Sequence, residues 1–151
     1  MSYPRREDVD SIEGIVKALY ESISGPAGPR DWERERSLFA AGARLQPTRP
    51  KDGGGGTMEV LDVEGYIASR TPFFAANDFH EVEVARRVDR FGNIAQVWSV
   101  YEYRRSPEDA EPFGRGINSI QLFHDGDRWW VVSVLWDNER PDNLLPAPLP
   151  E

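Results

Sequence analysis

The stretch Gly116–Asn138, GINSIQLFHDGDRWWVVSVLWDN, restricts the fold more than any other part of this chain. It holds two apolar runs of strand length, rich in Ile, Val, Phe and Trp, joined at His124-Asp125-Gly126-Asp127. Aspartate followed by glycine marks a hairpin, because a two-residue primed turn needs positive φ at both central positions. With Asp125-Gly126 as that turn, His124 pairs with Asp127, Leu122 with Trp129, Ile120 with Val131 and Asn118 with Ser133. Strict alternation then places Asn118, Ile120, Leu122, Trp129, Val131, Ser133, Leu135 and Asp137 on one face. Ile117, Ser119, Gln121, Phe123, Trp130, Val132, Val134 and Trp136 fall on the other. Both faces are largely apolar, which a hairpin with one side in water avoids. Something must pack on each side of this sheet.

Ahead of the hairpin the period is helical. Ile12, Ile15, Val16, Leu19, Tyr20 and Ile23 form an i, i+3, i+4, i+7 stripe, capped by Asp8 or Asp10 and stopped by Gly25-Pro26. A second, shorter helix starts at Asp31, with Trp32, Leu38 and Phe39 inward and Glu33, Arg34, Glu35 and Arg36 as a mixed-charge solvated face. Ala43–Pro47 reads as a short strand, and Thr57–Val60 as its partner across the Gly53–Gly56 loop. That loop lacks the Lys and Ser/Thr of a phosphate cradle. Asp62 caps a third helix carrying Val63, Tyr66, Ile67, Phe73 and Phe74, kinked or ended by Pro72. From Phe79 the period becomes two, Arg90–Asn93 turns the chain, and Ile94–Arg105 is a long strand. The proline-rich stretch 139–151 is either an extended segment packed along the domain or a disordered end.

Helices followed by runs of strands predict an α+β domain. The expected form is a curved, mostly antiparallel sheet, a cone wrapped around about three helices from the N-terminal half. At 151 residues this is one domain, with a core over about 8–138. The net charge of −8 and two lysines argue against nucleic-acid binding. No apolar run reaches membrane-span length and the first ten residues lack a signal-peptide core, so a cytoplasmic protein off the membrane is expected. With zero cysteines there is no disulfide, thiolate metal site or cysteine nucleophile. His80 and His124 are too far apart, with no matching carboxylates, to suggest a metal, and no cofactor motif stands out.

The chain resembles the nuclear transport factor 2-like superfamily, whose cone is shared with ketosteroid isomerase-like and polyketide-cyclase-like proteins and is also called cystatin-like. The resemblance runs from about Asp8 to Asn138. It rests on the amphipathic first helix, Asp31-Trp32 leading to Leu38–Leu45, Arg90–Ala95 before a long strand, and Asp125–Trp129 opening the last. It is most similar to uncharacterised bacterial members ending in RGINSIQL…WWVVSVLWDNERPDN. The isomerase-like pattern implies an acid on an inner strand position and a tyrosine deep in the cone. Asn118 and Asp137 stand near such places, but the match goes no further and no isomerase role is carried over. Ser133-Val134-Leu135 replaces the last-strand histidines of cyclase-like members.

The expected ligand pocket is built from Asn118 and Ser133, with Tyr101, Arg44, Leu122 and Trp129, in the mouth of the cone. Asp137, His80 and Glu102 are the candidate acids and bases, although Tyr101 and Glu102 cannot both face inward on a regular strand. The plainer alternative pairs Asn118 with Ser133 across the hairpin and Asp137 with an arginine. Trp130, Val132, Val134 and Trp136, flanked by Gln121 and Phe123, form an outer apolar strip expected to meet a second copy of the chain. The function expected is homodimeric binding of a small apolar molecule. The alternative is a cofactor-independent isomerase, dehydratase or cyclase.

Overall fold

A stripe of apolar side chains makes α2 (Ile12–Ile23) amphipathic, and its buried Ile15, Val16, Ala18, Tyr20 and Ile23 face the sheet. A computed structural model describes residues 2–150. The cap of α2 is Ser11, whose hydroxyl accepts from Gly14 N–H at 2.9 Å, rather than Asp8 or Asp10. Asp8 lies instead in a preceding turn of helix, α1 (Arg6–Val9), with its carboxylate buried. The second predicted helix is α3 (Trp32–Leu38), capped by Asp31 as expected. Its charged run is not uniformly solvated. Arg34 donates to both Asp8 oxygens (2.8 and 3.0 Å) and to Glu21 (2.9 Å), clamping α1, α2 and α3 together. Glu35 is 2% exposed.

After α3 come β1 (Phe39–Pro50), β2 (Gly56–Met58) and α4 (Val63–Ala76), then the four long strands β3 (His80–Phe91), β4 (Ile94–Arg104), β5 (Gly114–His124) and β6 (Trp129–Asn138). Asp62 caps α4 through Gly65 N–H at 2.7 Å, and the helix continues through Pro72 to Ala76. The sheet order is β2-β1-β6-β5-β4-β3, antiparallel except for the parallel β1–β6 pair. Thus β1 is longer than the expected Ala43–Pro47 because β6 gives it a partner over most of its length. The fold is the α+β architecture the element order implies. Leu38, Val97, Ile120, Leu122, Trp129 and Val131 join the α2 stripe in the core, each buried large side chain contributing about 2 kcal/mol.

The hairpin departs from its predicted register in two ways. Its loop is four residues long: Asp125 Oδ1 accepts from Asp127 and Arg128 N–H (2.8 and 2.9 Å), and His124 pairs with Trp129. Gly126 has positive φ, but no non-glycine residue among the described residues does, so a primed two-residue turn does not form. This change alone leaves the faces as predicted. The second does not. Leu122 pairs with Val131 and Gln121 with Ser133, so Val132 is an extra residue in β6, a bulge. Beyond it the faces exchange. Val134 and Trp136, expected outside, turn inward with Ile120 and Asn118, whereas Ser133, Leu135 and Asp137 turn outward. Asn118 pairs with Trp136, and Ser133 donates to Gln121 at 3.3 Å.

Val134 is 6% exposed and Val132 39%. Val134→Asp is therefore expected to cost about 3 kcal/mol or more in urea melts, and Val132→Asp less than about 1 kcal/mol. Similar losses from both would show that the two side chains share a face and that the bulge is absent.

Candidate functional site

Between α2, α4 and the inner face of the sheet lies a cavity of about 400 Å³, within the size range of small-molecule sites. Aromatic rings wall it. Phe79 stacks on Tyr103 at 5.3 Å, Phe74 meets Phe79 at 5.3 Å, and Tyr66 meets Trp136 edge-on at 6.2 Å. Leu19, Ile23, Leu45, Ile120 and Val134 supply the aliphatic remainder. The exposed lining residues Arg49, Ser69, Phe73 and Asn138 mark the opening, with the half-buried Arg70 beside Ser69. Two glycines shape the sheet beneath. A Cβ on Gly114 would collide with the Tyr103 ring, and one on Gly116 with the Tyr101 hydroxyl and the Asp137 carbonyl. These positions let both tyrosines lie across β5 with their hydroxyls in the cavity wall.

Two carboxyls line this apolar space, and neither was anticipated. Glu81 reaches it from β3, opposite Tyr103. Among the described residues its carboxyl has no hydrogen-bond or ion-pair partner. Burial, and then the charge of Glu35, pushes it up to about 8. Glu35 enters from α3 and accepts a short hydrogen bond from Ser22. Burial pushes it up to about 7, against the opposing effects of Ser22 and Arg34. Glu35 thus ionises first, and its charge helps Glu81 keep a proton at neutral pH. Tyr20, Tyr66 and Tyr101 are raised by burial first and by these carboxylates second.

A directed chain of hydrogen bonds supports the cavity wall. Arg86 donates to Glu83 at 2.8 Å, which leaves that carboxylate able only to accept. Ser99 therefore donates to Glu83 at 2.5 Å, Tyr20 donates to Ser99 at 2.7 Å, and Asn118 Nδ2 donates to Tyr20 Oη at 3.0 Å. The Tyr20 proton is thereby committed to the protein. The second Asn118 N–H and the Tyr103 hydroxyl have no partner among the described residues.

Of the residues expected in the pocket, Asn118 and Tyr101 line it. Tyr101 donates a short hydrogen bond to Asn138 Oδ1. The remaining expectations are corrected by the bulge and by strand alternation. Ser133 and Arg44 pair with each other in register on the outer face. Leu122 and Trp129 are core residues on the inner face but outside the cavity lining. Asp137 points outward and accepts from Arg140 at 3.0 Å; although burial opposes ionisation, that bond and the Asn138 N–H hold its carboxyl below the usual range. Glu102 faces outward to Arg104 (3.1 Å) and Arg115 (3.8 Å). His80 pairs with Arg104 and lies outside the cavity, because alternation turns its neighbour Glu81 inward. On the outer face Gln121, Phe123 and Val132 are exposed, while Trp130 is half covered by Arg128, 3.5 Å above its ring. Among the described residues no three His, Asp or Glu side chains could hold a metal ion, and no helix is long and apolar enough to cross a membrane.

The chain has the nuclear transport factor 2-like, or cystatin-like, cone fold. A nuclear transport factor 2-like protein from Cytophaga hutchinsonii matches with TM-score 0.57 and 12% identity, over 84% of this chain and 91% of that one. A protein of unknown function with a cystatin-like fold from Nostoc punctiforme matches with TM-score 0.61 and 12% identity, over 87% and 96%. A candidate ketosteroid isomerase from Shewanella frigidimarina matches with TM-score 0.56 and 17% identity, over 85% and 96%. At these identities the likeness is one of fold. No protein-family model and no curated protein matches the sequence.

The buried Glu35 and part-buried Glu81 carboxyls give stability a definite pH dependence. Unfolded glutamates titrate near ~4.3, whereas Glu35 and Glu81 titrate at about 7 and about 8 in the fold. Between those values the folded chain holds more protons, so the unfolding free energy falls as pH rises from about 5 to about 8. Urea melts across that window are expected to show the fall, and Glu35→Gln with Glu81→Gln to flatten it. An equal slope in wild type and the double variant would contradict the assignment.

Proposed function

We propose that this chain is a cofactor-independent enzyme that moves a proton on a small, largely apolar substrate, in the manner of an isomerase or dehydratase. The observation that carries this reading is the unpartnered Glu81 carboxyl in an aromatic-walled cavity. A structural carboxylate normally has an arginine or several N–H donors; a carboxyl left without them, in a cleft, is suited to proton transfer. In its ionised form Glu81 removes a proton from a carbon acid. In its protonated form it returns one. The free N–H of Asn118 and the Tyr103 hydroxyl are donors for a substrate oxygen on which charge develops. Glu35 acts through its charge on Glu81. The competing reading, a binding domain that holds the same kind of molecule without chemistry, shares the cavity but leaves the unpaired carboxyl without a purpose.

Deuterium uptake by 2-tetralone, an enolisable aromatic ketone, tests this in D₂O by NMR. Wild type is expected to accelerate exchange well above buffer, with a rate that rises through pH of about 8 as Glu81 ionises, and Glu81→Gln is expected to abolish the gain. Binding of 2-tetralone with no acceleration would favour the binding domain instead.

We also infer that a second copy of the chain covers the outer sheet face. In support, Phe91 (84% exposed), Ile94 (60%), Phe123 and Val132 line one shallow groove there, with Trp98 and Leu135 exposed on the sheet as well. Scattered single apolar residues need no partner, but a contiguous strip does. Val134 and Trp136 take no part, since they face the core and the cavity. Light scattering is expected to give a dimer at micromolar concentration and a monomer for Phe123→Arg/Val132→Arg. A monomeric wild type would refute this assembly.

A further inference from the structure

Besides the Glu81 carboxyl and the Asn118 amide oxygen, the cavity carries several donors not fully engaged by the protein. Tyr103 Oη and the second Asn118 N–H are donors, and at the opening stand two guanidinium groups, Arg70 and Arg49. Arg70 lies over the Tyr66 ring, 5.3 Å from its centroid. Its hydrogen bond to Ser69 Oγ is long, at 3.4 Å, and no carboxylate among the described residues lies within ion-pair distance. Arg49 holds only an exposed, loose pair with Glu59 at 3.6 Å. Among the described residues Arg34, Arg36, Arg86, Arg104, Arg115 and Arg140 each hold a carboxylate at 3.1 Å or less, whereas Arg5, Arg30, Arg44, Arg90, Arg105 and Arg128 hold none; what sets Arg70 apart is its place in the cavity lining. Acids outnumber basic residues 26 to 18 in this chain, so a guanidinium at a cavity mouth without a carboxylate is not explained by a shortage of acids. Inside, burial favours the neutral form of Glu81, so Glu35 supplies what negative charge an entering anion meets.

We infer that the molecule taken by this cavity is an aromatic or alicyclic carboxylate, its ring body among Phe74, Phe79 and Trp136 and its anionic group held at the opening by Arg70, with Arg49 beside it. This rests on the cavity being the substrate site proposed above, and it names the class of substrate. A planar guanidinium suits a carboxylate because it can donate two parallel hydrogen bonds. The aromatic wall supplies the apolar contact area and the rim supplies the charge recognition. A neutral ligand of the same shape would use only the first.

Calorimetric titration with 2-naphthoate and with its neutral amide, 2-naphthamide, tests the inference. Naphthoate is expected to bind about tenfold more tightly to wild type. Arg70→Gln should reduce that preference to about twofold or less while leaving the amide unchanged, and Arg49→Gln should reduce it partly. Raising salt from about 50 to about 300 mM should weaken naphthoate but not the amide. Naphthoate affinity should also fall as the pH passes about 8, a fall that Glu81→Gln removes. Equal binding of the two compounds, no binding of either, or a preference that survives Arg70→Gln would overturn the assignment. Tetralone exchange without carboxylate preference would remove this inference alone. Carboxylate preference without exchange would remove the proton-transfer reading and leave the binding site.

Discussion

Val132 is the residue on which the arrangement of this molecule turns. Side chains alternate along a strand with period two, so a single inserted residue exchanges the faces of everything beyond it. Before the bulge, Trp129 and Val131 bury against α2 and the rest of the core. After it, Val134 and Trp136 replace Ser133, Leu135 and Asp137 on the inner face. The cavity therefore has an aromatic and aliphatic wall where regular pairing would have put a serine and an aspartate. A second irregularity, between Glu83 and Ala85 in β3, does similar work at the sheet edge. Glu81 and Glu83 share a face by ordinary alternation; the irregularity brings Arg86 onto that same face, opposite Ser99, where it can complete the hydrogen-bond chain.

A cone with an open interior forgoes part of the packing that would otherwise stabilise it, and this chain makes up the difference away from the cavity. The Arg34 clamp on Asp8 and Glu21 ties three helical segments together at the end of the domain. Breaking such a partly buried pair costs about 3 kcal/mol, since the remaining charge is left unpaired. Glycines at 114 and 116 leave room for Tyr101 and Tyr103 across β5. The two cavity carboxyls work in the opposite direction, holding protons that the unfolded chain would release near neutral pH. Stability is lowest where Glu81 is ionised, the form that the proposed function uses as a base.

Much of the fold is legible in the amino-acid order. The period of 3.6 through Ile12, Ile15, Val16, Leu19 and Ile23, the caps Asp31 and Asp62, and the apolar runs of the last strands each follow from local chemistry. Asn118 and Tyr101 are legible as cavity residues because β4 and β5 alternate without a break between them. Glu35 and Glu81 are harder to see, though a signal exists for both. Trp32, Glu35 and Leu38 are spaced by three on one helix, and Phe79, the extended residue just before β3, and Glu81 by two; in each case the apolar member marks the face that turns inward. The surrounding ERER and HEVEV patterns hide this, because charge runs of that kind usually belong to a solvated surface.

The sequence by itself determined three of the helices, the long strands, their order and the α+β class, because helical and strand periodicities are properties of neighbouring residues. Only the tertiary structure decided which way the second half of β6 faces. A bulge is a choice between two pairings that local propensity barely distinguishes, and what favours one is the fit of Val134 and Trp136 against α2, α4 and the rest of the sheet. The same holds for the site. That Glu81 would stand without a partner among aromatic rings, with Arg70 at the opening and no carboxylate beside it, depends on contacts between segments as far apart in the chain as α2 and β6, and no local pattern encodes the absence of a partner.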